Sequence, residues 1–420
     1  MRLRDRAFAI LRNEGGGLEG VEDSRDEAFI HTIVQGVIRW RLFLDFAASK
    51  ISERKLDQID PLALEILRVG LYQVWFMDVP DHAAVSETVD LAEHRHPKAK
   101  GFVNAVLRKA TRTTKEAMGP DGDDVASIAI RNAHPDWLVQ RWVRRYGKAR
   151  TEAIARANQE LSRADALVNT TKIETDELIA RLRARDIAVS PSVFIEGMIR
   201  LGGSSREVVQ EVDEGLIHLM DEGSAAVARL GSACGSLVLD LAAAPGGKSI
   251  AMNLGGSRVI ANDVSRSRLL PLLNRWRVMF GTEPSVVVGD ASTPPFRGQF
   301  DVVLLDSPCS ASGIIRRHPE IRHRLSESQI RSHARRQARL LEGAMTIDTR
   351  YWIYSTCSLE PEENDDVVMA ALRKRDDVVL GDLSTIAPAP LIPWIERGIL
   401  RLTPDSGADG FTAFLLERAE

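Results

Sequence analysis

The chain has 420 residues, 44% of them hydrophobic and 27% charged, a globular mixture that excludes wholesale disorder. At about 150 residues per domain, this length implies two or three domains. A formal net charge of -4 argues against a generally basic nucleic-acid coat protein but leaves room for a local basic face. Three cysteines, Cys234, Cys309 and Cys357, cannot build a disulfide framework, which points to a cytoplasmic protein.

The N-terminal segment MRLRDRAFAILRNEGGG carries early arginines but no apolar core or small-residue cleavage site, so it does not read as a secretory signal. No stretch approaches the roughly 18 consecutive apolar residues of a membrane span, and no membrane association is expected. The first 110 or so residues show helical periodicity. In AFIHTIVQGVIRWRLFLDFAASKI, apolar residues recur at steps of three and four, and PLALEILRVGLYQVWFM repeats the pattern. Pro80 stops that helix, HAAVSETVDLAEHR begins another and KGFVNAVLRKAT the next. The polar stretch TRTTKEAMGPDGDD reads as a linker, which closes an all-α domain over residues 1–124.

Residues 125–214 read as a small α+β unit. HPDWLVQRWVRRYG and ARTEAIARANQEL are helical, ALVNTTKI is a short strand, ETDELIARLRARDI a helix and AVSPSVFIEGMIRLGG strand-like. From residue 215 to 420 the rhythm changes. The apolar runs SLVLDLA, SRVIANDV, PSVVVGDA, FDVVLLDS and YWIYSTCS alternate with helical stretches, which predicts βαβ units and a mostly parallel, Rossmann-like sheet.

The chemistry falls at the ends of these strands. SLVLDL runs into AAAPGGKS, where small residues let a ligand approach the backbone and a helix N-terminus favours an anion. The dinucleotide pattern G-x-G-x-x-G is absent, and a Walker A loop would need Gly where Ala242 stands. Asp263 ends the next strand, where a carboxylate accepts both ribose hydroxyls, and Asp290 ends the third, where one accepts from an adenine amine. A lone strand-end aspartate is more often a cap. The three ends together point to an adenosine-containing cofactor along the sheet's carboxyl edge.

The last two ends deliver Asp306, Pro308 and Cys309, then Thr356 and Cys357. A single buried cysteine is usually inert, but two on strand-end loops beside a carboxylate form a reactive pattern. Cysteine adds to C6 of a pyrimidine, which makes C5 carbanion-like toward an electrophilic methyl group. A protonated or proton-sharing Asp306 would stabilise the charge that develops at N3. The residues alone do not choose between the two cysteines. A zinc site is the weaker reading, since paired ligand spacing is lacking, and no metal is expected. Arg316, Arg317, Arg322, Arg324, Arg331, Arg335, Arg336 and Arg339 crowd the following segment, either as a solvated helix face or as a surface for phosphates. His318 has no expected acid–base role.

In LDLAAAPGGKS, LLDSPCSASGIIRRHPEIR, YSTCSLEPEEN and DGFTAFLLER the sequence resembles the bacterial Sun/Fmu (RsmB) family of ribosomal RNA cytosine-C5 methyltransferases. GLIHLMDEGSAAVA resembles that family's entry to its catalytic domain. ILRVGLYQVWFMDVPDHAAVSETVDLA and KGFVNAVLRKATR resemble its NusB-like RNA-binding domain, so the likeness covers nearly the whole chain. The resemblance implies a multidomain protein with a NusB-like all-α domain, an α+β connecting domain and a Rossmann-like methyltransferase domain. It implies that Ala242, Ala243, Ala244, Pro245, Gly246, Gly247 and Lys248 hold the methionine moiety of S-adenosylmethionine. Asp263 would bind the ribose, Asp290 the adenine, and Asp306 would contact the target base beside the cofactor.

On the family's pattern Cys357 is the nucleophile and Cys309 helps to release the product. The implied partner is RNA, 16S rRNA in particular, with no obligate protein partner evident. Transfer RNA as substrate, and a non-catalytic ribosome-assembly role, are the alternatives. The departures are Ala242 for a common cysteine, SASG for Ser-Gly-Thr-Gly, His323 for Trp, Leu167 for Arg, and GAMTIDTR for a Lys-Pro-Gly-Gly turn. None removes a catalytic group.

Overall fold

The structure is a computed structural model that describes residues 2–14, 24–203 and 205–419; the Gly15–Gly17 run of the N-terminal segment lies outside them. It forms two compact units, Met1–Glu160 and Leu161–Glu420.

The first unit is helical, as its 3.6-residue periodicity predicts. Its helices are Leu3–Leu11, Ser24–Ser52, Pro61–Phe76, Asp81–Arg95 and Lys100–Ala110, followed by Val125–Arg131 and Asp136–Ala157. The central one is Pro61–Phe76. Asp60 caps it by accepting from the Leu62 and Ala63 N–H groups at 2.9 and 3.1 Å, and Pro61 occupies the first turn, where its missing N–H costs nothing. The unbroken run Ala63–Gln73 is buried, so neighbours pack on every side of this helix. Its one buried cation, Arg68, is neutralised by Asp45 and Glu65, each at 2.6 Å. The stretch Asp136–Ala157 breaks at Gly147, which separates the two predicted helices.

The second unit holds two sheets. The smaller has the order β2-β3-β1-β4, from β1 (Ala164–Val168), β2 (Val189–Pro191), β3 (Met198–Leu201) and β4 (Ile217–Leu219), all antiparallel. One face packs on helix Thr175–Arg183 through Ala166, Val168 and Ile217. Strand β4 hydrogen-bonds to β1, so strand pairing carries the chain past residue 214, where the catalytic domain was expected to begin.

The larger sheet runs β11-β12-β13-β9-β8-β5-β6-β7, with β10 on β13. Its strands are β5 (Leu237–Asp240), β6 (Arg258–Asp263), β7 (Ser285–Val288), β8 (Gln299–Asp306), β9 (Asp348–Thr356), β10 (Val378–Leu380), β11 (Ile395–Glu396), β12 (Ile399–Leu402) and β13 (Phe411–Arg418). The five predicted strands are the parallel ones, β5 to β9, and β13 pairs antiparallel with β9. Strand order reverses between β6 and β8 around β5, and such a switch point opens a crevice at the strands' carboxyl ends. No helix among the described residues is long and apolar enough to cross a membrane.

Candidate active site

Strand β5 ends at Asp240, which is fully buried and accepts from Ser249 Oγ at 2.6 Å. Its other oxygen, Oδ1, has no hydrogen-bond partner. Burial pushes this carboxyl up to about 7, against the opposing pull of Ser249 and Lys248. Between an unfolded value near 4 and this folded value, the native chain binds the extra proton, so stability falls as pH rises through that window. Asp240→Asn should remove that slope: its melting temperature relative to the parent should climb from pH 5 to pH 8. An unchanged difference across that range would refute the buried-acid assignment.

The turn after β5 is held from β6. Asp263 is 3% exposed; its Oδ2 accepts from the Ala244 N–H at 3.3 Å and its Oδ1 from the Ser265 N–H at 3.0 Å. Asn262, which sequence reasoning missed, donates to the carbonyls of Leu241 (2.9 Å) and Gly289 (3.0 Å), tying three strand ends together. Gly246 has φ 112°, and a β-carbon there would meet Leu272 at 2.5 Å, so the turn requires glycine. Asp290 accepts from the Ser292 N–H and Oγ, both at 2.8 Å; these bonds and the charges of Arg336 and Arg339 hold it below its ordinary value.

Asp263, Asp290, Arg336 and Arg339 line a cavity of about 330 Å³. A second cavity, of about 750 Å³, is lined by Ala243, Ala244, Pro245, Gly247, Lys248, Asp306 and Cys357. Ala242 lines both. The donor set fits S-adenosylmethionine: carboxylates for the hydroxyls and amine of adenosine on one side of Ala242, and on the other the open first turn of helix Gly247–Leu254 for a carboxylate.

At the end of β8, Asp306 accepts from Lys248 Nζ at 2.6 Å through Oδ2 and from Ser355 Oγ at 2.8 Å through Oδ1. Both oxygens act as acceptors, and the ion pair is made with a lysine that the sequence placed only in the cofactor turn. Lys248 also donates to Ser224 Oγ at 2.9 Å and lies 5.0 Å from the centre of the Phe411 ring. Burial works against its ammonium, but Asp306, together with Cys357 and Asp240, outweighs burial and holds the amine above its ordinary range.

Cys309 and Cys357, 48 residues apart, bring their sulfurs to 3.3 Å. The hydrogen bond to Cys357, followed by burial, raises the Cys309 thiol well above its ordinary value. A hydrogen bond thus links the two sulfurs. Both loops are fastened by the buried Glu363, another residue that sequence reasoning missed although YSTCSLEPEEN contains it. Its Oε1 accepts from the Ser310 N–H (2.8 Å) and Gln337 Nε2 (3.1 Å), and its Oε2 from Ser358 Oγ (2.5 Å) and Ser310 Oγ. The Gly313 N–H donates to the Cys357 carbonyl at 2.9 Å, and the Gly410 N–H to the Gly313 carbonyl at 2.8 Å. A β-carbon on Gly313 would lie 2.3 Å from Gly410 O and 2.9 Å from Cys357 O. Gly313→Ala must therefore part these loops, and a displacement near 1 Å should cost about 10²-fold in turnover. Wild-type turnover in that variant would contradict this packing.

The arginine segment divides into a buried and an exposed part. Arg316 and Arg322 are 2% and 1% exposed, and Arg316 binds Asp409 at 3.1 Å. Arg317 binds Asp409, Asp165 and Asp221 at 2.5, 3.0 and 2.8 Å. These three are engaged by the protein itself, whereas Arg324, Arg331, Arg335, Arg336 and Arg339 face outward. His318 is exposed beside Glu320. Among the described residues, no group of three or more His, Cys, Asp or Glu could hold a metal ion.

A parallel sheet with an adenosine-type crevice at its switch point and a paired cysteine–aspartate centre beside it defines an S-adenosylmethionine-dependent methyltransferase. Residues 228–416 match the 16S rRNA methyltransferase RsmB/F family, residues 3–112 the NusB family, and residues 134–206 the RsmF/B-like ferredoxin-like domain. The ribosomal RNA small subunit methyltransferase B of Pseudomonas putida is 31% identical over 93% of this chain and 90% of its own. The probable ribosomal RNA small subunit methyltransferase B of Bacillus subtilis is 29% identical over 92% and 89%. The crystal structure of PH0851 superposes with a TM-score of 0.77 over 99% of this chain and 98% of its own at 24% identity, a likeness of fold. The chain belongs to the RsmB/F family of 16S rRNA methyltransferases. Its NusB-like helical domain, small α+β domain and α/β catalytic domain are those that the sequence predicted.

Proposed function

We propose that this protein transfers the methyl group of S-adenosylmethionine to C5 of a cytosine in 16S rRNA, in the cytoplasm, through a covalent bond between Cys357 and C6. The observation that carries the reading is the 3.3 Å contact of Cys309 with Cys357, which lines the cavity that also holds the Lys248–Asp306 pair. Bound S-adenosylmethionine supplies the electrophilic methyl group. Asp263 and Asp290 would hold its adenosine and the Ala242–Lys248 turn its methionine moiety.

The Cys357 thiolate adds to C6 of a base drawn out of its stack. Addition moves negative charge onto the ring, where the Lys248 ammonium is the group able to stabilise it, while Asp306 accepts from the base's exocyclic amine. After methylation the C5 proton passes to a base, its electrons re-form the C5–C6 double bond, and the C6–sulfur bond breaks with Cys357 leaving as the thiolate. Cys309, the nearest sulfur to that bond, would assist this release. The outward arginines would meet RNA phosphates, and residues 1–124 would bind RNA as a NusB-like domain, ahead of a connecting domain at 125–214 and a catalytic domain at 215–420.

Bisulfite sequencing of total RNA from cells with and without the gene tests the reading. Loss of one protected cytosine in 16S rRNA is the expected result. Loss in transfer RNA would keep the chemistry and overturn the substrate, and no loss in any RNA would favour a non-catalytic assembly factor.

A further inference from the structure

One ring in the larger cavity has no task in this reaction. On β4, His218 stands opposite Leu167 of β1, on the sheet face turned away from the small domain's own core. It lines the cavity of about 750 Å³ together with Ala244, Pro245 and Gly247. Its Nε2 lies 3.4 Å from the point a β-carbon on Gly247 would occupy. No hydrogen bond joins this ring to another described residue. Burial and the nearby Arg275 guanidinium lower the imidazole to about 4, so the ring is neutral near pH 7 and has one N–H to give. Arg275 itself is committed to the carbonyls of Val212 and Ile217.

The field at this spot favours an anion. Helix Gly247–Leu254 begins here, with its first N–H groups unpaired and the positive end of its dipole toward the cavity, and Arg275 adds a full charge. Adenosine belongs on the far side of Ala242, with Asp263 and Asp290. The amino-acid end of the cofactor therefore lies on the His218 side, and its α-carboxylate is the anion that end carries.

We propose that His218 binds the cofactor directly, donating a hydrogen bond from Nε2 to the α-carboxylate beside the first turn of helix Gly247–Leu254. Strand β4, which pairs with β1 of the smaller sheet, thereby supplies part of the cofactor site. This rests on the cofactor reading above. Titration calorimetry of the full chain with S-adenosylmethionine and with 5′-methylthioadenosine, which keeps the adenosine and thioether but lacks the amino-acid end, separates the two. His218→Phe, which keeps a ring and loses the donor, should weaken S-adenosylmethionine about tenfold, the scale of one hydrogen bond to a charged group, and leave 5′-methylthioadenosine unchanged. His218→Gln, which restores an N–H, should recover most of the loss. Equal weakening of both ligands would reduce His218 to packing, and no weakening of either would overturn the contact. Unchanged cofactor affinity with a raised KM for RNA would move His218 to the base side. Binding of neither ligand by the parent protein would overturn the cofactor reading itself.

Discussion

Cys357→Ala should abolish methylation, with turnover falling on the order of 10⁴-fold or more, while cofactor affinity and melting temperature stay close to the parent's. The expectation follows from the position of the two sulfurs. A thiol adds to C6 only as thiolate, and Cys357 lines the cavity with Lys248 and Asp306, while the hydrogen bond to Cys357 and burial hold the Cys309 thiol up. Cys309→Ala removes the second sulfur but leaves the nucleophile. Addition and methylation should proceed and release should stall, so a protein–RNA species that survives denaturing electrophoresis should accumulate. The roles would be exchanged if Cys357→Ala formed that species and Cys309→Ala did not. Normal turnover in Cys309→Ala would remove the release role altogether.

Much of this centre was legible because its residues interrupt apolar strands. A glycine turn, Asp263, Asp290, Asp306 and two cysteines each follow an apolar strand run, although Val286 and Val288 of the edge strand β7 are exposed, so strand and site could be read together. What could not be read were partnerships across long stretches of chain. Lys248 meets Asp306 from 58 residues away, and a lysine in a turn gives no sign of which carboxylate it will face. Glu363 reaches Ser310 across 53 residues, so it passed as one acid in an acidic loop. The arginine segment misled for the same reason. Charge density suggested a solvated or phosphate-facing surface, but Arg316 and Arg317 satisfy Asp409, Asp165 and Asp221 from up to 152 residues away. A buried guanidinium needs such partners, and sequence proximity does not reveal them. The pairing of strand β4 with β1 was equally hidden, because two helices and two strands lie between them.

The ion pair that escaped the sequence yields the second large effect. Lys248→Met keeps the length and much of the apolar stem, and removes the charge and its donors. Asp306 would then keep Ser355 as its partner, and the ring charge created by addition at C6 would lose the cation next to it. Removing one preorganised donor of this kind costs about 10²–10³-fold in turnover. A loss of that size could also come from a displaced turn, since Lys248 stands in the first turn of helix Gly247–Leu254. The trapped species distinguishes the two. If Lys248 stabilises charge during addition, Lys248→Met placed in the Cys309→Ala background should prevent the denaturation-resistant adduct from forming, while calorimetry still records cofactor binding within a few-fold of the parent. An adduct that accumulates as before would mean that addition does not need the ammonium. Loss of cofactor binding together with the adduct would assign Lys248 to shaping the turn. Addition, rather than binding or release, is the step at which negative charge appears on the base, and it is there that the buried cation has its largest effect.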